Sequence, residues 1–315
     1  MPDEYSYHEE LNFLNFRILW QTNYQPIMNL IWEQFSSPKD RTVGSVTDTF
    51  IFFIRFVADD NAEISGNMAL NRYYDAKNGI LRLTYLNGAI TVEVDYQARQ
   101  VRATIMKRAL NYQWAIGNWV LTIPLSELMK LYGLYLMHSA CLVSADQGML
   151  FAGKSGIGKT TLTLGLLAMG WQAVSDDEVF LTSKPDLVAY NGPEKAKISW
   201  PSWRRFQYYL GQQSRFNSKR LVNLGDYFPG QILNSHSISA ICFIEQSDRS
   251  SILRLPPIEG FRRMLSVGFL TSEPQLTREN SDFLYQISQR IPAFLVGVGL
   301  DVKALHQKLT TIVLG

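Results

Sequence analysis

Met149-Leu150-Phe151-Ala152-Gly153-Lys154-Ser155-Gly156-Ile157-Gly158-Lys159-Thr160-Thr161 decides the reading of this chain. The apolar run predicts a strand ending at Ala152, and Lys159 to Met169 predicts a helix. The loop between them has the full form G-x-x-x-x-G-K-[ST], in the strand-to-helix setting that form requires. Its glycines let successive backbone N–H groups turn inward as an anion nest, and the helix N-terminus adds partial positive charge. Gly153, Ser155, Gly156, Gly158, Lys159, Thr160 and Thr161 are therefore expected to hold a nucleotide. Lys159 would reach the β and γ phosphates, and the Thr160 hydroxyl would ligate magnesium. Lys159, read as a surface-loop side chain, should be replaceable without damage to the fold. An ordinary glycine-rich turn would not need all four fixed positions.

Downstream, Gly170 precedes a predicted strand at Gln172–Ser175 that ends in Asp176-Asp177. Ligands of α/β sheets sit at strand C-termini. A carboxylate there can hold magnesium, and its neighbour can take a hydroxyl proton. A solvated Asp-Asp turn is the plain alternative. Upstream, Met137-His138 lies on a predicted strand over Leu136–Val143. A lone histidine among apolar neighbours reads by itself as a core residue. No LSGGQ segment occurs, which argues against an ABC-type ATPase.

Farther out, strands are predicted at Glu178–Leu181, Ala240–Ile244, Ile252–Leu255 and Ala293–Val298. Helices are predicted at Leu125–Leu136, Ile258–Ser266, Asp282–Arg290 and Val302–Thr311. This alternation implies an α/β layer structure for residues 113–315. The stretch from about Lys184 to His236 has no assignable period. Before it, Tyr24–Phe35 has helical spacing, and Thr49–Ala58, Asn67–Tyr73, Ile80–Tyr85, Ile90–Tyr96 and Val101–Met106 read as strands. Asn87-Gly88 marks a hairpin. Residues 1–112 thus predict a smaller, antiparallel, β-rich domain with a helical lead-in.

Composition excludes several classes. Of 315 residues, 46% are hydrophobic and 18% charged, so the chain can bury a sizeable core and is not a disordered segment. Thirty basic and 28 acidic residues leave a net charge of +2, which argues against a dedicated nucleic-acid binder. Cys141 and Cys242 read as two buried, reduced thiols, since a disulfide framework or zinc site needs more cysteines. Asp3, Glu4, Glu9 and Glu10 oppose a signal-peptide reading, and no apolar run reaches about 18 residues. A soluble, cytoplasmic protein without membrane partners is expected.

Met137-His138-Ser139-Ala140, the hairpin before the loop, Gly153–Thr160, Gly170 and Ser175-Asp176-Asp177-Glu178 together resemble the HPr serine kinase/phosphorylase family. The resemblance is dense over Leu136–Leu181. It implies a phosphate-loop core of the HPr kinase and phosphoenolpyruvate-carboxykinase-like type, with ATP and magnesium as cofactors. It places Asp176 at the catalytic base, Asp177 at a metal-associated carboxylate and His138 at the active-site histidine, with Lys159 holding the γ-phosphate. The Leu-Glu-Ile-Arg-Gly segment of enzymes acting on HPr has no counterpart here. The chain is therefore more similar to divergent members, some of which phosphorylate a serine of ribosomally made peptides such as lasso-peptide precursors. The resemblance leaves a homo-oligomer open.

Lys195 to Arg220 carries seven basic residues and no acidic one, interleaved with Trp200, Trp203, Phe206, Tyr208, Tyr209 and Phe216. Three readings are open for it: a phosphate clamp that touches the acceptor, a solvated face with its stems on aromatics, or a single-stranded nucleic-acid surface. For the whole chain, the leading expectation is a kinase acting on a peptide or protein serine. A small-molecule hydroxyl kinase and a non-catalytic nucleotide switch are the alternatives.

Overall fold

The computed structural model describes residues 5–35, 46–58, 70–182, 186–192, 195–215, 219–268, 273–299 and 302–314. Residues 67–69 of one expected strand, and Phe216, lie outside them. The protein is a mixed α/β structure with several sheets. It divides into two compact units, Met1–Tyr132 with Thr271–Thr277 and Gly133–Leu270 with Arg278–Gly315.

The first unit contains β1 (Tyr7–Phe13), β2 (Phe16–Thr22), α1 (Gln25–Phe35), β3 (Asp48–Val57), β4 (Asn71–Asp75), β5 (Ile80–Tyr85), β6 (Ile90–Asp95) and β7 (Gln100–Met106). The strands form one sheet in the order β1-β2-β3-β7-β6-β5-β4. It is mixed, not antiparallel as expected, because β3 pairs parallel with both β2 and β7. The physical reason is α1, which carries the chain from β2 across to β3, whereas tight turns join the antiparallel neighbours β4–β5–β6–β7. The expected helix is present as α1, and a β1–β2 hairpin that the sequence reading did not include precedes it. Its signal is the alternation of buried Phe16, Ile18, Trp20 and Thr22.

Residues 113–130, which the sequence groups with the second domain, belong to the first unit as α2 (Gln113–Ile116), a π-helical turn (Gly117–Thr122) and α3 (Ile123–Lys130). A buried polar triad ties α3 to the sheet. The Tyr96 hydroxyl donates to Glu127 Oε2 at 2.9 Å, and Lys130 Nζ donates to Glu127 Oε1 at 2.9 Å. Removing one partner strands the other charge in a low-dielectric interior, at about 3–5 kcal/mol. Glu127→Ala should lower stability by that amount in chemical denaturation. A wild-type midpoint would show that the triad contributes nothing.

The second unit contains β8 (Tyr135–Met137), β9 (Ser139–Ser144), β10 (Gln147–Ala152), α4 (Lys159–Leu167), β11 (Gln172–Ser175), β12 (Val179–Thr182), β13 (Val188–Asn191), β14 (Ala196–Ile198), α5 (Trp200–Arg205), α6 (Gln207–Leu210) and β15 (Arg220–Val222). It continues with β16 (Ser235–Gln246), β17 (Ser251–Leu255), α7 (Pro257–Val267), α8 (Pro274–Arg290, in this unit from Arg278), β18 (Ala293–Val298) and α9 (Val302–Leu314). Five of these elements fill the stretch that the sequence leaves unassigned.

β16 is the hub of the large sheet. It pairs parallel with β10, antiparallel with β13 near its start, and parallel with β18 toward its end. Side-chain alternation builds an apolar layer on each face. Leu142 and Phe151 join Leu164 and Trp171 in one cluster, and Cys141 and Leu150 join Val174 and Phe283 in the other. Cys141 and Cys242 are free, buried, and in opposite clusters. Among the described residues, no helix is long and apolar enough to cross a membrane.

Candidate active site

The strand expected over Leu136–Val143 breaks at His138. β8 pairs with β12, while β9 pairs with β10 and β11. The break is held by the His138 N–H, which donates to the Val267 carbonyl at 3.3 Å, and by a bridge between Met137 and Gly268. His138 thus sits where the chain passes from one pairing partner to another, with its ring near the loop that follows β10.

That loop leaves the sheet at Ala152 and enters α4 at Lys159. Gly156 (φ +82°) and Gly158 (φ +110°) are left-handed, with open space where a Cβ would stand. Backbone conformation, rather than crowding, requires glycine at these two positions. The Ile157 N–H donates to the Lys154 carbonyl at 3.2 Å and closes the turn. Lys154, Ser155 and Gly156 are exposed, and Gly153 is half-buried.

Lys159 is not a surface-loop side chain: only 5% of it is exposed. Its Nζ lies 2.8 Å from His138 Nε2, 3.1 Å from the Gly153 carbonyl and 3.7 Å from Asp177 Oδ1. A lysine has only protons to offer, so His138 Nε2 is the acceptor and the ring proton resides on Nδ1. That nitrogen faces Asp177 Oδ1 at 3.4 Å. Burial lowers the affinity of His138 for a second proton. Asp177 opposes this, and the charges of Lys159, Lys197 and Lys219 add to it. Burial also lowers the Lys159 ammonium, against the pull of Asp177 and Asp176.

Asp176 and Asp177 are adjacent in sequence but face different partners. Ser175 Oγ accepts from the N–H groups of Asp177 (3.4 Å) and Glu178 (3.3 Å), a serine turn at the end of β11. Asp176 is buried and accepts from the Thr160 hydroxyl at 3.2 Å. Burial, reinforced by the like charge of Asp177, pushes the Asp176 carboxyl up to about 7. Asp177 stays about one-third exposed, beside His138 and Lys159. Thr160, expected to share a metal with Asp177, is bonded to Asp176 instead.

Thr161 has a different neighbour. Its hydroxyl lies 2.8 Å from that of Ser202 on α5, which in turn lies 3.2 Å from the Ser199 hydroxyl. Ser202 escapes sequence reading because nothing local marks it; only tertiary packing brings α5 to α4. The sites expected at His138, Gly153, Lys159, Thr160, Asp176 and Asp177 therefore converge, whereas Thr161 serves as a tie to α5.

The residues fit a magnesium–nucleotide complex by their donor chemistry. A hydroxyl and a buried carboxylate 3.2 Å apart are hard oxygen donors at the loop-to-helix junction. Among the described residues, no three His, Cys, Asp or Glu side chains cluster to hold a metal by themselves. Magnesium in nucleotide sites needs only one or two carboxylates beside the phosphates.

No family model matches the chain, and no curated protein matches it. Among solved structures, it is similar to the HPr(Ser) kinase/phosphatase from Coxiella burnetii, at 15% identity over 57% of this chain and 99% of that chain, with a TM-score of 0.34.

Proposed function

We propose that the second unit is an ATP- and magnesium-dependent phosphotransferase that moves the γ-phosphoryl group to a hydroxyl, a serine of a peptide or protein. The observation that carries this reading is the pair of contacts at the loop, Thr160 with Asp176 and Lys159 with His138 and Asp177. Magnesium, when bound, supplies a Lewis acid that offsets phosphate charge, and Thr160 and Asp176 are the residues to hold it. Left-handed Gly156 and Gly158 shape the loop for its phosphates, and Lys159 draws the terminal phosphoryl group into line.

Asp177 is then the base. The bond from the γ-phosphorus to the β–γ bridging oxygen breaks, with its electron pair leaving on ADP. A new bond forms to the acceptor oxygen, and the hydroxyl proton passes to the Asp177 carboxylate. His138 Nδ1–H orients that carboxylate, while its Nε2 steadies Lys159. A peptide acceptor is supported by the first unit, whose sheet, among the described residues, ends in strands β1 and β4. Edge strands can hold an extended chain by main-chain hydrogen bonds.

This division of labour has a direct test. Asp177→Asn should lower turnover by about 10²–10⁴-fold, the usual contribution of a general base. Its affinity for magnesium nucleotide, read by calorimetry, should stay close to wild type. A raised magnesium requirement in Asp177→Asn, with none in Asp176→Asn, would reverse the two roles.

A further inference from the structure

α5 and α6 are tied to α4 at two points. In α5, the Ser202 hydroxyl lies 2.8 Å from that of Thr161 in the first turn of α4. In α6, the Tyr209 hydroxyl donates at 3.3 Å to the carbonyl of Ala168, which caps the end of α4. Between these ties, Trp203 and Leu210 are buried in the cluster that holds Leu162 and Leu166 of α4. The Trp203 indole N–H donates to the Gly211 carbonyl at 3.0 Å and so joins the end of α6 to α5. The two short helices are therefore a fixed ridge on α4, not a loop hanging in solvent.

What the ridge turns outward is basic and aromatic. Arg204, Arg205 and Tyr208 are all exposed. Tyr208 is 89% exposed, its ring edge-on to Tyr209 at 5.1 Å between centres, and Tyr209 stacks on buried Phe228 at 5.5 Å. The Arg205 guanidinium lies 5.8 Å from the centre of the Phe206 ring. Residues 195–220 contain no acid, and the next one along the chain, Asp226, accepts from the Asn223 side chain at 3.1 Å. A tyrosine this exposed gives the fold little, but it becomes an anchor once a partner covers it. Guanidinium groups beside it select carboxylates, which they hold by charge-assisted, often bidentate hydrogen bonds. A nucleic acid would also match the charge. The chain as a whole carries only +2, however, short of the wide positive field that such a partner needs. The ridge also stands at a fixed reach from the phosphate loop. Thr161 and Ala168 are seven positions apart, about 10 Å along the helix. An extended peptide covers that span in about three residues.

We propose that the α5–α6 ridge is the docking surface for an acidic segment of the acceptor peptide, its carboxylates lying about three or more residues from the serine. Arg204, Arg205 and Tyr208 would be its contacts. This rests on the phosphotransferase reading. Fluorescence anisotropy on the full chain tests it with three labelled probes. One is a serine peptide with a run of aspartate and glutamate starting about three residues from the serine. The second carries asparagine and glutamine in that run, and the third is a single-stranded oligonucleotide of the same net charge as the first. The acidic peptide should bind about tenfold or more tightly than its amide version, the scale of lost charge-assisted hydrogen bonds, and should weaken with salt. Arg204→Gln/Tyr208→Ser should lose about tenfold while melting like wild type, since both side chains are exposed. Arg204→Lys/Tyr208→Phe should recover part of that loss. Arg262→Gln, exposed on α7, should leave binding unchanged. Equal binding of the two peptides, tighter binding of the oligonucleotide, or an unchanged affinity in the Arg204→Gln/Tyr208→Ser variant would overturn the surface. Calorimetry of magnesium ATP on the wild type separates the two readings. Binding leaves the phosphotransferase reading standing whatever the peptides do, and its absence overturns that reading together with the acceptor role of the ridge.

Discussion

Asp176→Asn is expected to stabilise the free protein at pH 8 and to inactivate it. The Asp176 carboxyl is buried, and burial with the neighbouring Asp177 charge raises it to about 7. Below about pH 4 it is protonated in both folded and unfolded chains and carries no linkage cost. As pH rises toward 7 the unfolded chain ionises while the native state resists, so stability is progressively lost. Above 7 the full penalty is present. At about 1.4 kcal/mol per pH unit, the rise from 3.8 to about 7 makes the penalty about 4 kcal/mol. Asparagine removes the charge and still offers an oxygen to the Thr160 hydroxyl. The variant should therefore melt above wild type at pH 8 and with it near pH 4. It should also lose the magnesium dependence of nucleotide stabilisation and about 10³-fold or more in turnover, since metal charge is worth several kcal/mol at a transferring phosphate. Thermal melts against pH, with and without magnesium ADP, check this. A melting difference that is the same at pH 4 and pH 8 would contradict it.

Lys159→Met carries the second large effect. Methionine fills most of the space of a side chain that is only 5% exposed, whereas alanine would leave a hole. The fold should survive, with a modest loss from the unpaired His138 Nε2 and Gly153 carbonyl. Turnover should fall by about 10³-fold or more, as for loss of a charge that stabilises the transferring group. A structural role would predict no more than instability. The distinguishing readout is His138: removing the Lys159 charge should move its titration, followed by NMR, upward. A folded variant with retained turnover would remove the loop from the mechanism.

What the sequence reveals at this site is what is local. The strand, the glycine loop, Lys159 and Thr160 are contiguous, and the paired aspartates close the next strand. The different partners of Asp176 and Asp177 are not local. They depend on the Ser175 turn and on the approach of Thr160. The position of His138 depends on Val267 and Gly268, far along the chain, which break its strand. The burial of Lys159 likewise follows from tertiary contacts. In the first unit, the β1–β2 hairpin was readable in Phe16, Ile18 and Trp20. Its turn, however, places Leu14 rather than glycine at positive φ, and so carries no turn signal. Residues 195–220 escaped because their elements are three to six residues long, too short to show a period.

Transfer of the γ-phosphoryl group to a hydroxyl can be followed by phosphorus NMR on the full chain with magnesium ATP and a panel of serine peptides and hydroxylated metabolites, with mass spectrometry of the products. The expected result is ADP together with a phosphomonoester on a peptide serine, absent with Lys159→Met. A phosphorylated metabolite without any phosphopeptide would move the acceptor to a small molecule. ATP left intact with every acceptor, or released only as inorganic phosphate, would contradict a hydroxyl-directed phosphotransferase.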